Sequence, residues 1–394
     1  MTERETAQLT KAMTDTGDII DLSSIKGKIV DKHSSGGVGD KTTFVVSPMV
    51  AACGLPVAKM SGRGLGFGGG TVDKLESIMG FRTSITSEDF EKFVNEDGIS
   101  IMGQSGKIAP ADKKTYALRD VTATVDSIPL IASSIMSKKL ADGSDSIVLD
   151  VKVGSGAFMK TVDEAIALAK EMVKIGENNA KRTIAAVTNM DEPLGIAVGN
   201  SNEVEEAVLS LLGQGPEDFM EVCYTIGSLM LIAGEKAKDM ETARKMLETV
   251  LNNGAAYEKF KKFIDNQGGD TSVIENTKKL PKAKYILKAK AERSGYVTKI
   301  NAETIGRSTV ILGAGRNTKE DIIDHAVGAM IYKKVGDQVE KGEVLFEILT
   351  NDERLGEKAL LMALDAYSIG GKQEIDKKPI IIAIVDKNGV EKFI

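Results

Sequence analysis

The residues best suited to chemistry lie in two glycine-rich loops. The first, DKHSSGGVGDKTT, runs from Asp31 to Thr43, and the second, SGRGLGFGGGTVDKLES, runs from Ser61 to Ser77. Each loop follows a short apolar run that favours a strand and leads into a helical pattern. Backbone N–H groups and helix N-termini at the carboxyl ends of parallel strands attract anions. Two such loops on neighbouring strands therefore predict one shared site for a small anion.

Neither loop is a strong nucleotide-binding motif. In the first, Asp40 separates Gly39 from Lys41, whereas a Walker A loop has glycine directly before its Lys-Thr pair. The second matches G-x-G-x-x-G over Gly64–Gly69, but its helix is predicted to start only at Thr71. A dinucleotide-binding fold needs the helix to begin within the motif. ATP and dinucleotides are disfavoured, and a purely structural glycine turn stays an alternative.

Composition predicts a folded protein that binds small molecules. The chain has 394 residues, 42% of them hydrophobic and 27% charged, which is enough for two or three domains. Its net charge is −6, and no basic cluster suited to nucleic acid is present. No apolar run predicts a signal peptide or a membrane span. We therefore expect a cytoplasmic protein without nucleic-acid or membrane partners.

The cysteines and histidines exclude common metal and disulfide frameworks. Cys53 and Cys223 lie far apart in apolar helical patterns, which predicts buried thiols in a reducing compartment. His33 and His325 are the only histidines, too few for an ordinary protein zinc site.

The elements around the loops predict an α/β fold, with a mostly parallel sheet and helices on both faces. Strand patterns such as SIVLDVKV (146–153) and RTIAAVTNM (182–190) alternate with helical patterns such as DKTTFVVSPMVAAC (40–53) and TVDEAIALAKEMVKIG (161–176). The strand before the first loop is predicted to end at Val30.

A second domain is predicted after a polar linker. The pattern from Glu203 to Phe263 is helical, and NQGGDTSVIENTKKLPKAKY follows with the composition of a linker, so a boundary is expected near residue 285. SGYVTKI and KKVGDQVEKGEVLFEIL beyond it favour antiparallel strands, and a helix is expected near TKEDIIDHAVGAM (318–330). This predicts a C-terminal α+β domain over 286–394.

Several long motifs together resemble the thymidine and pyrimidine-nucleoside phosphorylases, the class II nucleoside phosphorylases. The matching stretches are DKHSSGGVGD, KMSGRGLG, GGTVDKLES, PADKKTYALRDVTATVDSIPLIASSIMSKKL, VLDVKVGSGAFM, PLGIAVGN and LGAGRNTKEDIIDHAVG. The resemblance covers nearly the whole chain. It implies a pentosyltransferase that splits uridine, thymidine or deoxyuridine with inorganic phosphate, giving free base and (deoxy)ribose 1-phosphate. It also implies a homodimer with phosphate as co-substrate and no required cofactor.

The resemblance assigns roles to residues of both loops and of the helices that follow. The positions implied to bind phosphate are Lys32, Ser34, Thr43, Lys59, Ser61 and Thr71. The catalytic and base-contacting positions are His33, Arg119, Ser134 and Lys138. Without the resemblance, Arg119 and Lys138 would be read as solvated charges on helices. Ser134 and Lys138 are one helical turn apart, so they project from one face, and His33 would protonate or stabilise the departing base.

Two positions bear on substrate range. By resemblance Lys59 lies near the ribose 2′-OH, where strictly thymidine-specific relatives have an apolar residue, so the broader pyrimidine-nucleoside activity is favoured over thymidine specificity. Lys59 would otherwise reach only phosphate or solvent. Phe67 and Gly68 replace a His-Thr pair usual in the family. Phe67 would contact the substrate by stacking on the base, or merely fill space.

A structural potassium ion is a further implication. Its ligands in some relatives match Gly39, Lys41, Leu194, Ala197 and Glu206. Lys41 stands where those relatives have a small hydroxyl residue, so its ammonium would either occupy the ion's place or repel the ion.

The resemblance also sets the domain expectations and the rivals. Family members usually start about 50 residues earlier, so residues 1–15, completed by 111–141, are expected to form a shortened helical lobe, and 16–285 the α/β domain. Loss of the preceding helices would put dimerisation in doubt. The rivals are an anthranilate phosphoribosyltransferase of the same fold, a dinucleotide oxidoreductase, and a non-catalytic nucleoside or phosphate binder disabled by truncation.

Overall fold

A computed structural model of the chain describes residues 1–64, 66–104, 106–121, 127–316, 318 and 320–393. The α-helices are α1 (Glu3–Thr14), α2 (Thr42–Ala52), α3 (Thr71–Leu75), α4 (Ser87–Asp97), α5 (Pro110–Val121), α6 (Ile128–Ala141), α7 (Val162–Asn178), α8 (Ser201–Leu211), α9 (Glu217–Ala233), α10 (Met240–Asn252), α11 (Ala255–Asn266), α12 (Ser272–Glu275), α13 (Ala302–Ile311) and α14 (Glu353–Leu364). The strands are β1 (Val30–Ser34), β2 (Val57–Ser61), β3 (Ile99–Gly103), β4 (Ser146–Val153), β5 (Arg182–Asn189), β6 (Ala197–Gly199), β7 (Tyr285–Lys290), β8 (Gly295–Ile300), β9 (Gly328–Ile331), β10 (Gln338–Val339), β11 (Val344–Thr350), β12 (Tyr367–Gly370), β13 (Ile381–Asp386) and β14 (Gly389–Lys392).

The main sheet has the strand order β1-β4-β5-β13-β14. β1, β4 and β5 run parallel, and β13 and β14 add an antiparallel edge. All residues of β4 are buried because both faces of the sheet are covered. Ile147, Leu149 and Val151 pack with α6 and α7 on one face, whereas Val148 packs with α2 and α9 on the other. The predicted α/β layering is confirmed.

β1 lies further along the chain than the sequence pattern predicts, because it begins at Val30, where the predicted strand ends. It runs through Asp31, Lys32 and His33 to Ser34, with Lys32 opposite Val148 of β4. These polar residues continue the strand because the adjacent β4 supplies their backbone partners. Lys32 and His33 therefore have positions set by the sheet and not by a loop.

A smaller layer stands beside the main sheet. β2 and β3 form a parallel pair, and α1 packs on α5, α6 and α7. The capping box of α1 is present as predicted, with the Thr2 side chain accepting from Glu5 N and the Glu5 carboxylate accepting from Thr2 N. This packing joins the first helix to the segment that carries α5 and α6.

The C-terminal part contains two antiparallel sheets, as the alternating patterns predict. Their strand orders are β6-β9-β11-β7 and β10-β8-β12. Two connections cross the predicted boundary at residue 285. β6 precedes it yet pairs with β9, and β13 and β14 follow it yet extend the main sheet. The division into domains stays a prediction.

The helix predicted near 318–330 is wrong over the residues described there. The Thr318 side chain and backbone N–H donate to the Asp321 carboxylate, and β9 begins at Gly328. The helix of this region is α13, which starts earlier, at Ala302, where Asn301 caps it by accepting from Thr304 N. The linker also contains the short helix α12.

Cys223 is buried as predicted, but Cys53 is half-buried, and both thiols are free. Burial raises the pKa of Cys53 to about 11, so this thiol stays protonated near neutral pH. In the described ranges, no helix is long and apolar enough to cross a membrane.

The core beneath the main sheet is tightly packed around Phe260. Its ring lies 6.4 Å from that of Phe44 and 6.1 Å from that of Phe263, between centroids. We expect Phe260→Ala to lower the free energy of unfolding by about 3–5 kcal/mol because it opens a cavity in this cluster. Urea denaturation measures the change. Phe393→Ala, at a side chain 46% exposed, is the control and should cost less than about 1 kcal/mol.

Candidate active site

A cavity of about 510 Å³ opens where β1 and β2 end. The predicted residues that line it are Lys32, His33, Ser34, Thr43, Lys59, Ser61, Phe67 and Thr71. They come from two strands, the start of α2, the second glycine loop and the start of α3. The structure thus brings together every residue predicted to bind phosphate.

Lys32 lies between a carboxylate of the first loop and a carboxylate of β4. Its ammonium donates to Thr42 Oγ1 at 2.5 Å and lies 3.9 Å from Asp40 Oδ1 and from Asp150 Oδ2. Burial alone would raise the pKa of Asp40. The charges of Lys32 and Lys152 and hydrogen bonds from hydroxyl groups outweigh burial and hold that pKa well below its ordinary value. Asp40 therefore remains charged beside the cavity.

The second loop folds back on itself at its glycines. A Cβ on Gly70 would lie 2.0 Å from Gly64 N, so only a bare backbone permits this approach. The Asp73 carboxylate closes the loop by accepting from Gly64 N at 2.7 Å and from Arg316 Nη1 at 2.8 Å. Lys74 joins the two loops because its ammonium donates to Asp40 O at 2.9 Å.

Lys59 is buried behind the first loop. Its ammonium donates to Lys32 O and lies 3.7 Å from Asp31 Oδ1. The other carboxylate oxygen of Asp31, Oδ2, accepts a hydrogen bond from Lys139 Nζ at 2.8 Å. Burial lowers the pKa of Lys59 to about 8, although Asp31 opposes that shift. Lys59 lines the cavity, and its charge is sensitive to pH in the mildly alkaline range.

Phe67 lies between two cations at the cavity wall. Its ring centroid is 5.6 Å from Arg307 Cζ and 6.0 Å from Lys160 Nζ. Arg307 and the exposed Phe158 line the same cavity. The ring of Phe67, which is predicted to stack on the base or to fill space, therefore already contacts two cationic side chains.

The other three base-contacting candidates lie on α5 and α6, which together with α1 form the helical layer. Arg119 is 6% exposed and donates to Leu130 O at 3.1 Å. Lys138 donates to Ser134 Oγ at 3.3 Å and to Asp112 Oδ2 at 2.6 Å. These three described side chains are not in the lining of the cavity. The structure gathers them on one layer but does not bring them to the glycine loops.

His33 lines the cavity and also lies near a charged residue of α6. Burial lowers the pKa of His33 well below its ordinary value, and the charges of Lys139, Lys59, Lys138 and Lys32 lower it further. Lys138 is therefore within electrostatic reach of His33. At neutral pH the imidazole is uncharged, so it is suited to donate or accept a hydrogen bond and not to serve as a ready proton source.

A second, larger cavity of about 1220 Å³ adjoins the first. Ser61, Gly62, Arg63, Gly64 and Gln104 line both. The second cavity is also lined by Lys107, Lys113 and Ser84. The open space therefore continues from the glycine loops towards the start of α5, the helix that carries Arg119.

Sequence reasoning missed several charged residues of this region. Asp112 holds Lys138, and Asp142 accepts from Lys139 at 3.0 Å. Asp112 stands in the PADKKTY stretch, two residues after a proline that starts a helix, which is the signal that could have drawn attention to it. The pairing of Lys139 had no comparable signal because burial is not visible in sequence.

The positions predicted to hold potassium come together behind the first loop. Lys41 Nζ donates to Leu194 O at 2.8 Å and to Ala197 O at 3.0 Å, and it lies 2.5 Å from Glu206 Oε2. Gly39 packs against this segment, since a Cβ there would lie 2.5 Å from Leu194 O. In the part of the chain that the structure describes, no cluster of His, Cys, Asp and Glu is suited to a metal ion.

The fold and the loops place the chain among glycosyl transferases. Residues 26–257 match the α/β domain of a glycosyl transferase family, and residues 296–370 match the pyrimidine nucleoside phosphorylase C-terminal domain. A crystal structure of anthranilate phosphoribosyltransferase from Thermus thermophilus has the same fold, with a TM-score of 0.52 and 16% identity over 67% of this chain and 85% of that one.

Two similar proteins identify the family within this class. The pyrimidine-nucleoside phosphorylase of Bacillus subtilis is 57% identical over 91% of this chain and 82% of its own length. The pyrimidine-nucleoside phosphorylase of Geobacillus stearothermophilus is also 57% identical, over 90% of this chain and 82% of its own length. The chain belongs to the pyrimidine-nucleoside phosphorylase family, as the motifs predict.

The uncharged state of His33 leads to a pH prediction. We expect His33→Gln, which keeps a neutral donor, to retain more nucleoside cleavage than His33→Ala, which should lose about 100-fold in kcat. Because the pKa of His33 is lowered, the imidazole stays neutral as pH falls through its ordinary value near 6.5. The ratio of wild-type to His33→Gln rates should therefore stay constant from pH 8 to about pH 6.

Steady-state rates of both proteins at each pH provide the measurement, and their ratio cancels the ionisation of phosphate. A ratio that changes with a midpoint near pH 6.5 would contradict the uncharged role of His33.

Proposed function

We propose that the protein splits pyrimidine nucleosides with inorganic phosphate, giving the free base and ribose or deoxyribose 1-phosphate. The observation that carries the proposal is the cavity in which both glycine loops present lysine, hydroxyl and backbone donors. Relatives 57% identical to the chain are named for this activity. The protein is then a pentosyltransferase.

Phosphate would bind among the donors at the strand ends. Lys32 supplies a positive charge that the adjacent carboxylates keep in place, and Ser34, Thr43, Ser61 and Thr71 supply hydroxyl groups at the cavity wall. The Asp40 carboxylate is engaged by Thr42, whose hydroxyl donates to Asp40 Oδ1 at 2.6 Å. The nucleophile is already charged, so the protein needs to hold and aim it.

In the proposed reaction a phosphate oxygen attacks C1′ while the bond from C1′ to the base nitrogen breaks. The bonding electrons leave with the base, whose negative charge spreads over its ring nitrogen and carbonyl oxygens. A neutral donor at His33 and cations at Lys138 and Arg119 would stabilise that charge. The second cavity gives the nucleoside room between the loops and the helical layer.

The helical residues must approach the loops for this chemistry. Arg119, Ser134 and Lys138 lie outside the lining of the phosphate cavity, whereas His33 lies within it. We therefore infer that the helical layer closes on a bound nucleoside. Closure would also exclude water, which otherwise competes with phosphate for C1′.

The broader substrate range is part of the proposal. Lys59 lines the cavity with an ammonium that is protonated at neutral pH, since its pKa is about 8. An ammonium donor can pair with a ribose 2′-OH, whereas an apolar wall would leave that hydroxyl without a partner. This supports uridine as a substrate beside thymidine.

The homodimer and the cytoplasmic location predicted from the resemblance belong to the same proposal. Sedimentation of the purified chain would test the first, and fractionation of cells the second.

Release of free base tests the reaction itself. We expect uracil from uridine and thymine from thymidine only when phosphate is present, measured by chromatography. Lys32→Met should reduce the rate at least about 100-fold because it removes the charge that holds the nucleophile. Lys238→Met, at a side chain 83% exposed, is the matched control and should leave the rate unchanged. Release that does not need phosphate, or no release, would refute phosphorolysis.

Lys59→Met tests the substrate range. We expect kcat/KM for uridine to fall about 10- to 100-fold more than kcat/KM for thymidine, because one hydrogen bond from a charged donor to the 2′-OH is lost. The KM for phosphate is measured with both nucleosides, so that a contribution of Lys59 to phosphate binding is counted separately. An unchanged ratio of the two kcat/KM values would remove the argument for the broader range.

A further inference from the structure

Lys41 is a buried lysine whose ammonium does not reach solvent. It is the residue before α2, it is 1% exposed, and its side chain runs away from the glycine loop towards the segment between β5 and β6. Its ammonium contacts Leu194 O, Ala197 O and Glu206 Oε2 at 2.8, 3.0 and 2.5 Å. The ring of Phe219 covers it, with the centroid 5.1 Å from Nζ.

These partners form a cradle of oxygens for one monovalent cation. Two are backbone carbonyls and one is a carboxylate, which is a donor set that suits potassium. An ammonium group and a potassium ion are of nearly equal size. Because Nζ already contacts all three oxygens, an ion at the same point would overlap it and repel it. The residues present do not fit a bound potassium ion.

We propose that the ammonium of Lys41 is a built-in cation that takes the place of potassium, so that this protein needs no ion at this point. The protein would carry its cation on a side chain one residue before the helix that lines the phosphate cavity. Lys41 is then a positioning residue for α2 and does not itself touch the substrate.

The surrounding backbone explains why a cation is needed there. Glu206 accepts from Ile196 N at 2.7 Å and from Ala197 N at 2.9 Å, so its carboxylate is held in place within the loop. Without a cation, only those two backbone donors would offset the charge of this buried carboxylate, which lies near the carbonyl oxygens of Leu194 and Ala197, and such a charge is costly in the interior. The ammonium offsets that charge.

The cradle links elements on both sides of the site. Lys41 precedes Thr42 and Thr43, which face Lys32 and the cavity, respectively. Ala197 starts β6, which pairs with β9 of the C-terminal sheets. The cation therefore fixes the start of α2 against the strand that carries the C-terminal sheets.

A second lysine holds the same segment from outside. Lys334 donates to Gly195 O at 3.0 Å and lies 3.1 Å from Asp218 Oδ2. Its side chain is partly exposed, and its hydrogen bonds and ion pair among the described residues are with Pro193 O, Gly195 O and Asp218. The two ammonium groups thus have separate oxygens, and only Lys41 lies in the cradle.

Thermal unfolding in different salts tests the proposal on the full chain. The wild-type protein should unfold at the same temperature in potassium chloride and in choline chloride of equal ionic strength. Lys41→Thr should unfold about 5 °C or more lower in choline chloride, because the carboxylate loses its partner. Potassium should recover at least half of that loss, with saturation, by entering the vacated place.

Two further variants serve as controls. Lys41→Met fills the cradle with an uncharged chain, so its loss of stability should not be recovered by potassium. Lys282→Thr removes a partly exposed lysine that pairs with Glu205, the neighbour of Glu206 on α8, and should respond to neither salt. Crystals grown in rubidium chloride add a direct readout, with an anomalous peak in the cradle of Lys41→Thr and none in the wild type.

A potassium-specific rise in the unfolding temperature of the wild type, or a rubidium peak in its cradle, would overturn the proposal. So would a Lys41→Thr protein that responds equally to both salts. If Lys41→Thr does not fold, the two wild-type measurements still decide. None of these readouts uses nucleoside cleavage, so they are independent of the proposed activity.

Discussion

The pairing of buried lysines with buried carboxylates is the interaction on which the rest of this structure depends. Lys32, Lys139 and Lys152 are almost fully buried, and each is close to Asp31 or Asp150 on the strands β1 and β4. Isolated charges at such depth would cost several kcal/mol each. The fold makes their burial tolerable because it brings the opposite charges together. Lys32 on β1 lies near Asp150 on the neighbouring β4, Lys152 is on the same strand as Asp150, and Lys139 reaches Asp31 from α6.

This network sets the electrostatic character of the cavity. Lys32, Lys59 and the carboxylate of Asp40 line the cavity, whereas Asp31 and Asp150 are buried and are not in its lining. Burial and the same positive charges lower the pKa of His33, so the histidine beside the cavity is neutral. One arrangement of charges thus favours an anion and helps to determine the protonation state of the residue next to it.

The C-terminal part contributes to the site through contacts that close the loops. Arg316 binds Asp73 of the second loop, and Arg307 of α13 lies against Phe67 and lines the cavity. Lys334 secures the segment that leads into β6. The antiparallel sheets therefore support the geometry of the glycine loops, although the residues implied to bind phosphate all come from the first half of the chain.

The sequence by itself determined the alternation of strands and helices, the capping of α1, the family and the list of candidate residues. These follow from local spacing and from motifs that are continuous in the chain, such as DKHSSGGVGD. Local pattern failed where the chain is held by distant partners. β1 extends through charged residues because β4 pairs with it, and residues 318–330 do not form the predicted helix where they are described.

Only the tertiary structure decided which charges meet. Lys41 and Glu206 are far apart in sequence, yet they share one cradle, and Lys139 pairs with Asp31 across two elements. The structure also separated Arg119, Ser134 and Lys138 from the cavity between the two glycine loops, which no spacing rule predicts. The physical reason is that burial, and therefore the strength and protonation of each charge, depends on what the fold packs around it and not on the residue type.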